Sequence, residues 1–105
     1  MFVTFEKKYL QDLYEKGKTE EKKHRYQPDI IKRYQKCVKY LSGAKSVEDL
    51  QLINSLNYEA LKGDKKGISS IRVNDQYGVE FTVRERPDEP VITVCNIIDL
   101  SNHYK

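Results

Sequence analysis

Two short alternating runs, residues 69–74 and 77–84, meet across the dipeptide Asp75-Gln76. Alternation at period two marks a strand with one buried face, and two polar residues between such runs make a tight hairpin. This pairing constrains the chain more than any other feature, because it fixes which side chains share a face. With Ile71 and Val73 turned to a core, Arg72 is turned away from it. With Val79, Phe81 and Val83 inward on the returning strand, position 78, Glu80 and Thr82 fall on Arg72's side. An antiparallel sheet tolerates a polar open face of that kind.

Upstream of the hairpin the period changes. Tyr9, Leu10, Leu13 and Tyr14 follow helical spacing, and Gly17 is a stop. Pro28 opens a second helix whose stripe is Ile30, Ile31, Tyr34, Cys37, Val38 and Leu41, closed by Gly43. Residues 2–5 form a short first strand, Ser46 caps a brief helical piece reaching Leu52, and residues 91–99 form the last strand after a loop over residues 86–90. Residues 18–27, polar and almost without apolar residues, are expected as an exposed, mobile loop. The expected fold class is α+β: two N-terminal helices packed on one face of a twisted antiparallel sheet, in the order β-α-α-β-β-β. At 105 residues the chain has room for one domain, expected to span 1–105.

Charge is unevenly spread. Residues 1–45 carry twelve Lys or Arg against six Asp or Glu, and residues 46–105 seven against ten. A basic half suits an anionic partner such as RNA or an acidic protein segment, and it is equally the solvated face of a helix. No apolar run reaches membrane-spanning length and no signal peptide is legible, so a cytoplasmic protein without a membrane partner is expected. Cys37 and Cys95 lack metal-ligand spacing and read as small buried hydrophobes. With His24 and His103 the only histidines, neither a zinc site nor any other cofactor is expected.

Lys62, Lys65 and Lys66 stand on turns at the edge of the Arg72 face, and Asp99, His103 and Tyr104 should arrive near the same edge. A guanidinium holds phosphate oxygens in bidentate fashion and lysines add point charge. A histidine or carboxylate can take a proton, and a tyrosine can give one or stack on a base. RNA cleavage needs little more, because the 2′-OH is an internal nucleophile. Each residue also has a plain reading: Arg72 as a cross-strand partner of Glu80, His103 as a frayed terminus, Lys62 as a solvated turn residue, His24 as incidental.

The segment EALKGDKKGISSIRVNDQY, within residues 56–77, closely resembles the HigB branch of the RelE/ParE toxin superfamily. That branch carries a motif of the form L-K-G-D-[RK]-x-G-x-[WY]-S-I-R-[IV]-N-x-x-[WY]-R-[IV]. Residues 44–50 and the tail over residues 94–104 extend the resemblance over essentially the whole chain. It implies a RelE-like fold and the toxin of a type II toxin–antitoxin pair. Such toxins are endoribonucleases that enter the ribosomal A site and cut mRNA through attack by its own 2′-OH. The implied partner is a HigA-like helix-turn-helix antitoxin, with operator DNA reached only through it.

By this resemblance Lys62 and Arg72 contact the scissile phosphate. The base stays open between His103, in the tail with Asp99 and Tyr104, and Glu59, which stands where some relatives have a histidine. Position 78 departs from the motif: Gly78 stands where the family has an arginine. Loss of one transition-state donor costs roughly a hundred- to a thousandfold in rate, so an attenuated enzyme is expected. Two other readings remain open: a ParE-type topoisomerase poison, and a catalytically dead antitoxin-binding module.

Overall fold

In the computed structural model, which describes residues 1–86 and 92–102, the helices follow from their apolar stripes. Helix α1 (Lys8–Lys16) buries Tyr9, Leu10 and Leu13 and stops at Gly17, whose φ of 72° is left-handed. That conformation is open to glycine at no steric cost, which makes it a common helix end. Helix α2 (Pro28–Gly43) begins on its proline and buries Ile30, Tyr34, Cys37, Val38 and Leu41. A five-residue helix α3 (Val47–Gln51) inserts Leu50 into the same core.

Five strands make one sheet in the order β1-β5-β4-β3-β2. They are β1 (Phe2–Phe5), β2 (Glu59–Ala60), β3 (Ser69–Arg72), β4 (Tyr77–Arg86) and β5 (Ile92–Asn102). The mixed α+β class agrees with the expectation, but the sheet is not wholly antiparallel and not four-stranded. Strand β1 runs parallel to β5, Phe2 beside Val94 and Phe5 beside Ile97. The reason lies in the connection: α1 and α2 carry the chain away from β1 over one face. The closing strand β5 then lies between β1 and β4. A parallel neighbour needs such a long crossover, and residues 2–5 alone do not name their partner.

The core fills the space between the helices and the sheet face bearing Ile71, Val79, Phe81, Cys95 and Ile97, all fully buried. Phe81 on the central strand is among the largest of these, and its truncation to alanine costs about 3–5 kcal/mol. Both cysteines are buried and free, as small hydrophobes.

The segment 18–27 departs from the expected mobile loop. It contains a 3-10 turn at Lys22–His24. The His24 ring stacks on Tyr9 at 3.7 Å, and the Tyr26 hydroxyl donates to the Leu100 carbonyl at 3.0 Å. Two rings in an otherwise polar stretch are enough to tie it down. The loop expected at residues 86–90 lies, beyond Arg86, outside the described residues.

Candidate functional site

The site is built on the face of β3 and β4 turned away from the helices, where Arg72 is exposed and Ser70, Gly78 and Glu80 are buried. Arg72 pairs with Gly78, and Ser70 pairs with Glu80, so both couples lie on the face away from the helices. Strand β2 adds Glu59 beside Ser70, and β5 adds Asp99 beside Glu80 and Ser101 beside Gly78. Glu59, Ser70, Glu80 and Asp99 thus form one row across four strands. The hairpin is shaped by Asn74, whose Oδ1 accepts from the backbone N–H of Gln76 at 2.8 Å and of Tyr77 at 2.7 Å. An Asx turn of this kind explains why a polar triplet reverses the chain so tightly.

Lys62 leads into a 3-10 turn at Gly63–Lys65 between β2 and β3. Gly63 and Gly67 have φ of 65° and 92°, values that exclude most side chains and account for both glycines. The turn lifts Lys62, Lys65 and Lys66 into solvent at the sheet edge. Lys65 returns to the sheet: its Nζ lies 2.7 Å from Glu80 Oε2, and the Glu80 side chain is only 4% exposed. Sequence reasoning missed this pair. It had offered Arg72 as the partner of Glu80, whereas Arg72 Nη2 pairs with Asp75 in the turn and its Nε donates to the Asn74 carbonyl at 3.3 Å.

Gly78 lies buried at the second position of β4, just after the hairpin turn, with Arg72 on one side and Ser101 on the other. It is not among the residues of positive φ, so its backbone conformation does not call for glycine. A glycine inside a strand weakens it and presents no side chain to the face it occupies.

Asp99 is placed differently from the other candidates. The β4–β5 register skips Ile98, so that Glu80 faces Asp99 while Phe81 faces Ile97. A bulge of this kind re-aims the neighbouring side chain. The Asp99 carboxylate accepts a hydrogen bond from the Tyr9 hydroxyl of α1 at 3.1 Å. Burial, then the charge of Asp99, raises the Tyr9 phenol well above its ordinary range, and the same two causes push Tyr26 up to about 12. Glu59, Lys62, Arg72 and Gly78 are thus gathered on β2, β3, β4 and their turn, with Asp99 engaged beneath them by α1. His103 and Tyr104 lie outside the described residues.

A cleft of about 320 Å³ runs beside the hairpin, lined by Arg33, Lys36 and Tyr40 of α2 and by Arg72. It brings part of the basic helix face next to the Arg72 strand. Among the described residues no group of three or more His, Cys, Asp or Glu side chains is arranged to hold a metal. No helix among them is long and apolar enough to cross a membrane.

Three comparisons bear on this geometry. A family model for the RelE-like toxin HigB of type II toxin–antitoxin systems matches residues 3–93. Toxin HigB-1 of Vibrio cholerae serotype O1 (strain ATCC 39315 / El Tor Inaba N16961) is 35% identical over 83 residues, which cover 77% of this chain and 82% of the relative. Among solved structures, a YoeB/ParE toxin from Agrobacterium tumefaciens superposes with a TM-score of 0.62 over 99% of this chain and 100% of its own, at 14% identity. At that identity the likeness concerns the fold. The family match and the Vibrio relative settle the lineage: the chain belongs to the HigB-like family of RelE-like toxins of type II toxin–antitoxin systems.

Proposed function

We propose that this toxin is a ribosome-dependent mRNA endoribonuclease acting in the A site, with residues 1–105 forming one toxin domain in the cytoplasm. The observation that carries the reading is the arrangement on the face of β3–β4 turned away from the helices. There Arg72 adjoins Gly78, and the Lys65–Glu80 pair sits two residues further along β4. In the proposed reaction a 2′-oxygen attacks the adjacent phosphorus and the bond to the 5′-oxygen breaks. The products are a 2′,3′-cyclic phosphate and a 5′-hydroxyl. The 2′-OH proton goes to a base, Glu59 or His103, and the leaving 5′-oxygen takes a proton from the Tyr104 phenol. Lys62 and Arg72 hold the phosphate oxygens as negative charge builds. The scheme needs no metal, because nucleophile and leaving group both belong to the RNA.

Gly78 supplies no second cation beside Arg72, and the activity is accordingly attenuated. The partner is a HigA-like helix-turn-helix antitoxin, which links the toxin to operator DNA. The same glycine favours a second reading, an antitoxin-binding module without catalysis. Purified chain and Gly78→Arg, added to translating ribosomes and followed by primer extension on the mRNA, test both. Weak A-site cuts by the chain and strong cuts by the variant are expected. No cut by either protein would remove the nuclease reading.

A further inference from the structure

Beyond the phosphate-handling strands, the same face continues onto β5 and β1 and carries a second set of groups. Thr82 pairs with Asn96, and Asn96 with Thr4, giving one polar row across three strands. Next to it Arg84 pairs with Val94, and Val94 with Phe2. Phe2 is 63% exposed, a large aromatic ring left in water beside the buried Val94. Arg84 is exposed and makes no ion pair among the described residues. A cleft of about 360 Å³ lies over this region, lined by Thr4, Glu6, Thr82, Arg84, Val94 and Asn96.

The Asn96 amide is held at both ends. Its Oδ1 accepts from the Thr4 hydroxyl at 2.9 Å, and its Nδ2 donates to Glu6 Oε2 at 2.7 Å. The flip state is therefore fixed, leaving one N–H and one lone pair for an outside partner. A ring for stacking, a guanidinium for a phosphate and an oriented amide for a base edge are the three elements that sheet surfaces use on single-stranded RNA.

We infer that the Phe2–Asn96–Arg84 surface is a binding subsite for a nucleotide of single-stranded RNA flanking the bond to be cut. Phe2 stacks on the base, Asn96 meets its edge and Arg84 holds a phosphate. Thr82 and Arg84 lie four and six residues along β4 from Gly78, roughly 13 and 20 Å at the rise of a strand. A flanking stretch of the same RNA strand spans that distance. The inference rests on the nuclease reading for its substrate, but binding can be measured without cleavage.

The test is fluorescence polarisation with a labelled oligoribonucleotide, 2′-O-methylated throughout so that it cannot be cut. Phe2→Ala and Arg84→Gln change exposed side chains, and unaltered melting midpoints would certify their folds. Each should weaken binding about tenfold, and Arg84→Gln should also lower the slope of log affinity against log salt by about one. Asn96→Leu should reduce the spread in affinity among four oligonucleotides that differ in one base. Variants that bind as tightly as the parent overturn the subsite, even where ribosomal cleavage is intact. Weakened binding in Phe2→Ala and Arg84→Gln, beside a parent and a Gly78→Arg that never cut mRNA, would keep the RNA surface and remove the nuclease reading.

Discussion

Lys65 reaches from the turn after β2 to Glu80 on β4, closing an ion pair of 2.7 Å over β3, with the carboxylate almost wholly buried and the lysine about half exposed. A buried charge that loses one of its partners is costly, whereas an exposed partner contributes little beyond that. Lys65→Met should therefore destabilise the fold by about 1–2 kcal/mol, less than for a fully buried pair because water screens the lysine. Glu80→Gln alone should cost less, since the amide keeps the shape and sheds the charge. Urea unfolding of the two single variants and the double variant measures the coupling. Additive effects would mean that the two groups do not stabilise one another.

Gly78 separates two effects that one substitution can carry. Gly78→Ala adds a Cβ and reduces the freedom of the unfolded chain without adding charge, and cleavage should stay unchanged. Gly78→Arg adds the charge, and its expected effect is a rise in cleavage rate of roughly a hundred- to a thousandfold. Rates on translating ribosomes, measured beside thermal midpoints, tell backbone from charge. A rise in cleavage with alanine would point to strand order, not to a missing cation.

Arg72 holds an ion pair in the turn and, in the proposed reaction, a phosphate, and the two differ in size. Its partner Asp75 is 92% exposed on its side chain, so the pair adds at most about 0.5 kcal/mol to stability. Asp75→Ala should leave both the midpoint and the cleavage rate nearly unchanged. Arg72→Ala should likewise fold, and should lose any measurable cleavage in the Gly78→Arg background. Arg72→Lys should recover little, because an ammonium cannot replace the bidentate fork. Full recovery with lysine would reduce Arg72 to a point charge.

The hairpin, the two long helices and the facing of Arg72 with position 78 were legible because each rests on a local period. The parallel β1–β5 pairing was not, because residues 2–5 alternate in the same way whichever strand they join. Asp99 was legible as a residue near the site but not as the partner of Tyr9, since a one-residue bulge at Ile98 leaves no mark in an apolar run. The Lys65–Glu80 pair was hidden for a different reason. Three lysines sit in one turn, and only the path of the turn, set by Gly63 and Gly67, decides which of them reaches the sheet.

Stability at high pH follows from the groups beneath the sheet. Tyr26 is pushed from an ordinary value of 10.0 up to about 12, by burial first and then by the Asp99 charge, and Tyr9 and Tyr34 are raised as well, chiefly by burial. Burial also pushes the Cys37 and Cys95 thiols from 9.0 up to about 12. In each case the folded chain holds its proton where the unfolded chain releases it. Between pH 9 and 12 the native state therefore binds more protons, and stability falls as pH rises. Well below pH 9 these groups are protonated in both states and contribute no slope. The thiols should start the decline and the tyrosines steepen it above pH 10. Titration of tyrosinate absorbance should show Tyr9, Tyr26 and Tyr34 keeping their protons above pH 10 until the chain unfolds. Native Cys37 and Cys95 should resist a thiol reagent at pH 8 and react at once in urea. Tyr26→Phe loses the bond to the Leu100 carbonyl, so its midpoint at pH 8 should drop, while its decline above pH 10 should become shallower. An unchanged alkaline slope in that variant would show that Tyr26 ionises no later folded than unfolded.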